Sequence, residues 1–319
     1  KYILLLKKNI KKQKGTFFGM LILVFIITMA LCAVLAVGQN SRIYESEQLD
    51  RVGYGDVTSW IIEQPGVEEL IDQIEELRGT EKTERQKIKQ VSYKAGKKQT
   101  QNNGMLAVYE PENYDYYIYK EDLTGIQKNP KEPKDGEMYV SPSFITMYGV
   151  DIGDSVEIQI AGEEKQMRFT IRGFFEDPFA GSSMMGVKTM LINKASMEEL
   201  EQNALMAGDA STVADAEMLH IFQKKDSGQK TKEFIKELNE NTDLKNYTYR
   251  SYSKTTIEGF MLIAQNIFVG FFLVFVTVLV VVAVVVLSHS ITTGIEQDYT
   301  NMGVLKAIGF TNKDLRRVK

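Results

Sequence analysis

Two runs without a charged side chain limit what this chain can fold into. The first extends from Gly15 to Gln39, with TFFGMLILVFIITMALCAVLAV at its centre; the second, GFMLIAQNIFVGFFLVFVTVLVVVAVVVLS, extends from Gly259 to Ser288. About 20 apolar residues in a helix cross a hydrocarbon layer of about 30 Å. Both runs reach that length and the second exceeds it, an excess taken up by tilt or by projection from the membrane. Transmembrane helices are therefore expected at 16–38 and 259–289, the second with a stalk extension. The first run is longer than the apolar region of about 7–15 residues in a cleaved signal peptide, so it reads as a retained anchor. Cys32, the one cysteine of the chain, reads as a small apolar residue inside that helix.

Charge sets the orientation. Residues 1–14 carry six lysines and no acid, and residues 289–319 carry five bases against three acids. The two ends thus hold eleven of the 38 bases but only three of the 42 acids, which leaves the acidic excess between the spans. Basic flanks remain in the cytoplasm. A multi-pass protein of the plasma or inner membrane follows, with both ends of this chain cytoplasmic and residues 39–258 extracytoplasmic. In the cytoplasmic segment 1–15, Tyr2, Ile3, Leu6 and Ile10 share one helical stripe, which suits a juxtamembrane helix held against membrane lipid by its lysines. A nucleic-acid partner is not expected.

The stretch between the spans holds no cysteine and is long enough for its own core. DVTSWIIEQ (56–64) alternates as a strand. PGVEELIDQIEELRG (65–79) predicts a helix with Val67, Leu70, Ile71, Ile74 and Leu77 on one face and Gly79 at its end. Residues 80–104 are polar, with one strand expected at Ile88 to Tyr93; strands follow at MLAVY and DYYIY. Tyrosine favours strands, and Tyr114, Tyr116, Tyr117 and Tyr119 would line a groove only if they shared one surface. From 137 to 178 the pattern predicts a strand, a short helix with Ser141 as cap and Pro142 in its first turn, a turn at Gly153-Asp154, and a hairpin of VEIQIA with MRFTIRGFF through a Gly-Glu-Glu loop. A strand near GVKTMLI, a helix opened by a capping box from Ser196 to Glu199, a strand at MLHIF, a helix over TKEFIKEL and a strand at YTYR complete the order. Ser253 is placed to cap the helix that becomes the second span. Strands and helices in this alternation define a membrane protein with α-helical transmembrane spans and an inserted α+β extracytoplasmic domain, of one lobe or two.

Catalytic signals are few. His220 and His289 are the two histidines, so no His-x-x-x-His zinc pair exists. One cysteine forms no Cys-x-x-Cys. GSSMMG (181–186) approaches a nucleophile elbow, but Met185 stands where the closing glycine belongs. Gly96-Lys97-Lys98 lacks the earlier glycine and the following hydroxyl of a phosphate-binding loop. No catalytic or metal-binding residue is assigned.

The tail, NMGVLKAIGFTNKDLRR (301–317), has the sharpest local logic. Met302, Leu305 and Ile308, with Val304 beside them, form an apolar stripe at helical spacing. Gly309 is suited to end that helix in a left-handed conformation. Thr311, with Asp314 three residues on, can cap a second helix. A short helix with an apolar stripe at the inner membrane face needs a partner groove.

The residues Asn301-Met302-Gly303-Val304-Leu305-Lys306-Ala307-Ile308-Gly309-Phe310-Thr311 resemble a motif of the FtsX-like permease family of ABC transporters, in particular its MacB-like branch. That motif follows the second transmembrane helix and reads Glu-Ile-Gly-Ile-Leu-Arg/Lys-Ala-Leu/Ile-Gly-Ala-Thr; Asn301 occupies its glutamate position. GVDIGDSVEIQIAG and RFTIRGFFED (149–177) are similar to the family's external core. The resemblance implies a non-catalytic permease subunit whose segment 290–319 holds a coupling helix and the start of the next helix. Met302 to Thr311 would contact a separate ABC-type ATPase, and ATP and Mg²⁺ would be bound there. It also implies a second permease copy or half, and export or extraction of a peptide, lipid or antibiotic-like substrate. A two-span sensor with an external ligand domain has the same topology, but predicts one long helix continuing past the second span; Gly303 and Gly309 interrupt such a helix.

Overall fold

The computed structural model describes residues 14–161, 165–207, 213–297, 299–309, 311 and 313. The expected stripe on residues 1–13, the hairpin loop at Gly162-Glu163-Glu164 and the second tail helix beyond Thr311 lie outside these residues.

In chain order the elements begin with α1 (Lys14–Arg51), β1 (Val57–Ile62), α2 (Val67–Glu75), β2 (Thr80–Ala95), β3 (Lys98–Val108), β4 (Glu137–Val140) and α3 (Ser143–Tyr148). They continue with β5 (Ser155–Ala161), β6 (Lys165–Phe174), β7 (Lys188–Ile192), α4 (Lys194–Ala207), β8 (Val213–Gln223), α5 (Thr231–Asn241) and α6 (Leu244–Tyr247). The last are β9 (Thr248–Ser253), α7 (Lys254–Met261), α8 (Ile263–Gln297) and α9 (Tyr299–Ala307). The chain divides into two compact units, one made of residues 1–41 with 263–319 and the other of residues 42–262.

In the first unit, α1 and α8 contain the two segments long and apolar enough to cross a membrane. Both are apolar on all sides: Phe25 and Phe271 are 63% and 67% exposed. Such surfaces suit a lipid environment, where helices satisfy their own backbone groups. The two helices meet through Leu23, Ile27 and Ala30 of α1 and Val276, Leu279 and Ala283 of α8. Gln265 Nε2 donates to the Val37 carbonyl at 3.3 Å, which gives this polar side chain a protein partner. The first helix is continuous to Arg51, well past the apolar run. The second begins only at Ile263, after a separate short helix, α7; Ser253 is a cap, accepting from the Thr256 amide at 3.2 Å, but of α7 rather than of the spanning helix expected from the sequence.

The second unit is the α+β domain. Its nine strands lie in the order β3-β7-β4-β6-β5-β2-β8-β1-β9, and β3 also pairs with β2, closing the first six into a ring. β3–β7 and β4–β6 are parallel, and the other pairs are antiparallel. The two lobes allowed by the sequence are therefore parts of one sheet that share β2. At its C-terminal end β2 pairs with β3 and β5; over Thr80 to Val91 it pairs with β8. The ring is filled by Tyr93, Leu106, Val140, Phe144, Phe169, Ile171 and Leu200, among others. The open part β2-β8-β1-β9 is covered by α2 and α5, with Leu70, Ile74, Phe234 and Leu238 against Ile61, Leu219 and Ile221. A third cluster centres on Trp60, Met105, Phe179 and Ile257.

Several local expectations are corrected. The polar stretch 80–104 is the long β2–β3 hairpin rather than loop with one short strand. Its solvent-facing charges hide an alternation, while Ile88, Val91 and Tyr93 are buried. DYYIY is not a strand: only the isolated bridges Ile118–Phe175 and Tyr119–Ile126 form there. The helix α2 ends at Glu75, before Gly79. Ser196 is not the cap of α4. Asn193 Oδ1 accepts from the Ser196 amide at 2.9 Å, while Ser196 Oγ accepts from the Gly136 amide at 3.1 Å and ties the helix to β4. Ser141 does not cap α3 either, because its hydroxyl bonds that of Ser143 at 2.7 Å.

Candidate functional site

At the cytoplasmic tail expected from the sequence, α9 covers Met302 to Ala307, and the helix closes with Ile308 N donating to Val304 O and Gly309 N to Lys306 O. Gly309 follows at φ 98°, a left-handed conformation that a side chain would strain. The stop is therefore where the sequence places it. Val304 and Ile308, one turn apart, are 59% and 68% exposed. Gly303, Lys306 and Ala307 are also exposed. The side chains of Met302 and Leu305 and the residue Phe310 lie outside the described residues; Thr311 is described and exposed.

A second feature lies in the α+β unit, and the sequence reading did not find it. A cavity of about 790 Å³ opens between α4, β2 and β8, with Glu63, Glu110 and Tyr114 at its margins. On α4 the lining residues are Lys194, Met197, Glu198, Glu201, Ala204 and Leu205. Their spacing defines one face of a helix. The apolar lining residues belong to two cores: Ile88 and Ala216 to the cluster around Trp60, and Val108, Met197 and Val213 to that of the ring. Two bases in the lining are held by acids. Arg85 donates to buried Glu217 through Nε and Nη2 at 2.8 and 3.0 Å, and to Glu68 through Nη1 at 2.7 Å. These bonds, that to Glu217 first, raise the Arg85 pKa. Lys89 lies 2.7 Å from Glu201 and also donates to Asp215. Burial opposes the Lys89 charge, but the bonds to Asp215 and Glu201 outweigh it and raise its pKa. The signal for this face was the α4 spacing, obscured because β2 reads as polar loop.

The four tyrosines do not form one groove. Tyr114 lines the cavity with its ring 5.8 Å from that of Tyr116, Tyr116 stacks on Tyr109 with ring centroids 5.5 Å apart, the Arg51 guanidinium lies 3.5 Å over the Tyr117 ring, and Tyr119 lines a separate depression. The GSSMMG segment is held by Lys188, a fully buried residue whose Nζ donates to the carbonyls of Ala180 and Ser182 at 2.8 and 2.7 Å. Burial pushes the Lys188 pKa down to about 8. His220 is buried beside Thr58, with Nδ1 3.0 Å from Oγ1. Among the described residues no group of three or more His, Cys, Asp or Glu side chains is arranged to hold a metal.

Fold and tail together define a class: a membrane protein in which two apolar helices bracket an α+β domain and the second is followed by a short helix stopped at a left-handed glycine. Residues 273–318, from within α8 through α9 into the tail, match the FtsX-like permease C-terminal family. No curated protein matches the chain. Among solved structures, the periplasmic region of MacB from Actinobacillus actinomycetemcomitans aligns at 10% identity and a TM-score of 0.29, covering 66% of this chain and 94% of that one. The extracellular domain of the noncanonic ABC-type transporter YknZ from Gram-positive bacteria aligns at 9% identity and a TM-score of 0.26, covering 62% and 98%.

Proposed function

We propose that this chain is the membrane subunit of an ABC transporter, in which a separate ATPase chain binds ATP and Mg²⁺ and moves α9. The α+β unit lies outside the cytoplasm in this reading and is displaced through the spans, for export or extraction of its substrate. A second permease copy or half completes the assembly. The observation that carries the reading is the short helix Tyr299–Ala307 with its left-handed stop at Gly309, inside the segment that matches the permease family. It presents exposed Val304 and Ile308 on one face, and an apolar stripe exposed beside a membrane span is stable when a partner groove covers it. The stop at Gly309 also favours a permease over a sensor, whose output helix would continue.

Co-expression with the partner ABC-type ATPase, which a neighbouring gene is expected to encode, tests the reading. The double change Val304→Asp with Ile308→Asp is expected to reduce ATPase co-purification at least tenfold while leaving the α+β unit folded by circular dichroism. Full recovery of the ATPase with this variant would remove α9 as the coupling element.

A further inference from the structure

Three carboxylates from three elements meet near the points where the chain enters and leaves the α+β unit. Glu45 lies in the part of α1 that belongs to this unit, Glu176 follows β6, and Glu258 lies in α7; each is half-buried. Tyr44 Oη donates to Glu176 Oε1 at 2.7 Å, which fixes Glu176 against α1. The charges of Glu176 and Glu258 both act on Glu45. Glu258 stands one turn after Lys254, whose Nζ donates to Asp50 Oδ1 at 2.5 Å, further along α1 than Glu45. α1 and α7 therefore meet at two levels, through an ion pair at Asp50 and Lys254 and through like charges at Glu45 and Glu258.

The cations nearby do not relieve the like charges. Arg51 donates to Gln48 Oε1 at 2.8 Å and to the Asp115 carbonyl, and its guanidinium covers the Tyr117 ring. Lys254 is taken by Asp50, and Arg42, one turn before Glu45 on α1, is exposed and is not among the charges that act on Glu45. Tyr44 and Tyr119 also lie around this carboxyl. Burial first, then Glu176, raises both phenols above their ordinary value, so they stay neutral. When ionised carboxylates share a half-buried site, one of them keeps its proton to higher pH. Glu176 accepts from Tyr44 and suits the ionised form. Burial first, then the charges of Glu176 and Glu258, push the Glu45 pKa up to about 7. Glu45 lies past the apolar run of α1, which ends at Gln39.

We propose that Glu45, Glu176 and Glu258 form a proton-operated lock between α1 and α7, the two connections of the α+β unit to the apolar helices. A proton taken from solvent by Glu45 removes one charge from the cluster and lets its carboxyl donate to a neighbouring carboxylate, which closes α7 on α1. Loss of that proton leaves three negative charges together, and the two helices part on the Glu45 and Glu258 side of the Asp50–Lys254 pair. The proposal rests on the permease reading only for its consequence: in that reading motion reaches the unit along α1 and α7, and its transmission tightens in mild acid.

The full chain in lipid nanodiscs, with Cys32→Ala and spin labels on Ile43→Cys and Gly259→Cys, tests this by electron paramagnetic resonance. Both labelled positions are exposed, and a Cβ at Gly259 meets nothing within 4 Å. Dipolar broadening is expected to fall in one step centred near pH 7 as the pH is raised from 5.5 to 8.5. Glu45→Gln, which has no proton to lose, is expected to abolish the step and hold the labels at the close separation. Glu258→Gln is expected to lower the midpoint by at least one pH unit, and His220→Gln to leave it in place. A separation independent of pH in the otherwise unchanged chain, a step that survives Glu45→Gln or vanishes with His220→Gln, or a midpoint unmoved by Glu258→Gln would overturn the lock. ATPase co-purification on the same samples depends on α9, so a step present without bound ATPase supports the lock and counts against the permease reading alone.

Discussion

His220 shows how one buried side chain can make the α+β unit sensitive to acid. Its ring lies against Tyr54, with centroids 5.2 Å apart, its Nδ1 faces Thr58, and Nε2 has no hydrogen-bond partner. Burial pushes its pKa down to about 4, below the ordinary value of 6.5. The unfolded chain therefore takes up a proton at this site before the folded chain does. Stability from a neutral His220 is fully present above pH 6.5 and is lost as pH falls towards 4, by an amount on the order of a few kcal/mol. The expected result is that His220→Gln flattens the fall in melting temperature between pH 7 and pH 4.5, followed by circular dichroism. A variant that loses stability as steeply as the wild type would show that another group governs the acid response. At this scale the sequence showed that lone histidines offer no metal pair; that His220 is fully buried came from β8 being flanked by β1 and β2.

The element that organises the α+β unit is the β2–β3 hairpin, which turns at Gly96. Gly96 has φ 57°, and a Cβ there would lie 2.4 Å from the Tyr148 carbonyl oxygen, so backbone rather than a flexible side chain blocks it. Gly96→Ala is expected to cost about 1–3 kcal/mol through left-handed strain and this clash. The melting temperature should fall by several degrees, whereas Gly186→Ala, at a position with nothing within 4 Å of the added carbon, should leave it nearly unchanged. Equal effects of the two changes would count against the close approach of this turn to α3. The hairpin was only partly legible, because period-two alternation in TEKTERQKIKQ is carried by charged residues on both faces. β2 gains its order from pairing with β8 and from ion pairs such as Arg85–Glu217. The α9 stop was legible in full at the level of backbone, because an apolar stripe ending in glycine is a local signal that needs no tertiary partner.

For the whole molecule, the boundary of the α+β unit can be tested by excision. The unit spans residues 42–262 and includes Leu49 from the end of α1 and Ile257 from α7, both fully buried in the cluster around Trp60. A fragment of residues 42–262 is expected to fold with mixed helix and strand content. A fragment of residues 43–252 lacks Ile257 and the pairing of Lys254 with Asp50, and should melt lower by roughly ten degrees, as deletion of a buried large aliphatic side chain costs roughly 2–5 kcal/mol. Identical melting of the two fragments would place α7 outside the cooperative unit. By itself the sequence determined that two segments are apolar enough for a membrane, that the stretch between them is α+β, and that the tail carries a helix stopped at Gly309. Those properties follow from length, periodicity and one glycine, each read within a window of a few tens of residues. Only the tertiary structure decided that a polar stretch becomes the strand shared by both parts of the sheet, and that Lys87, Lys194, Glu63 and Glu198 surround one cavity. These residues come from three separate segments, and their meeting depends on strand order and register.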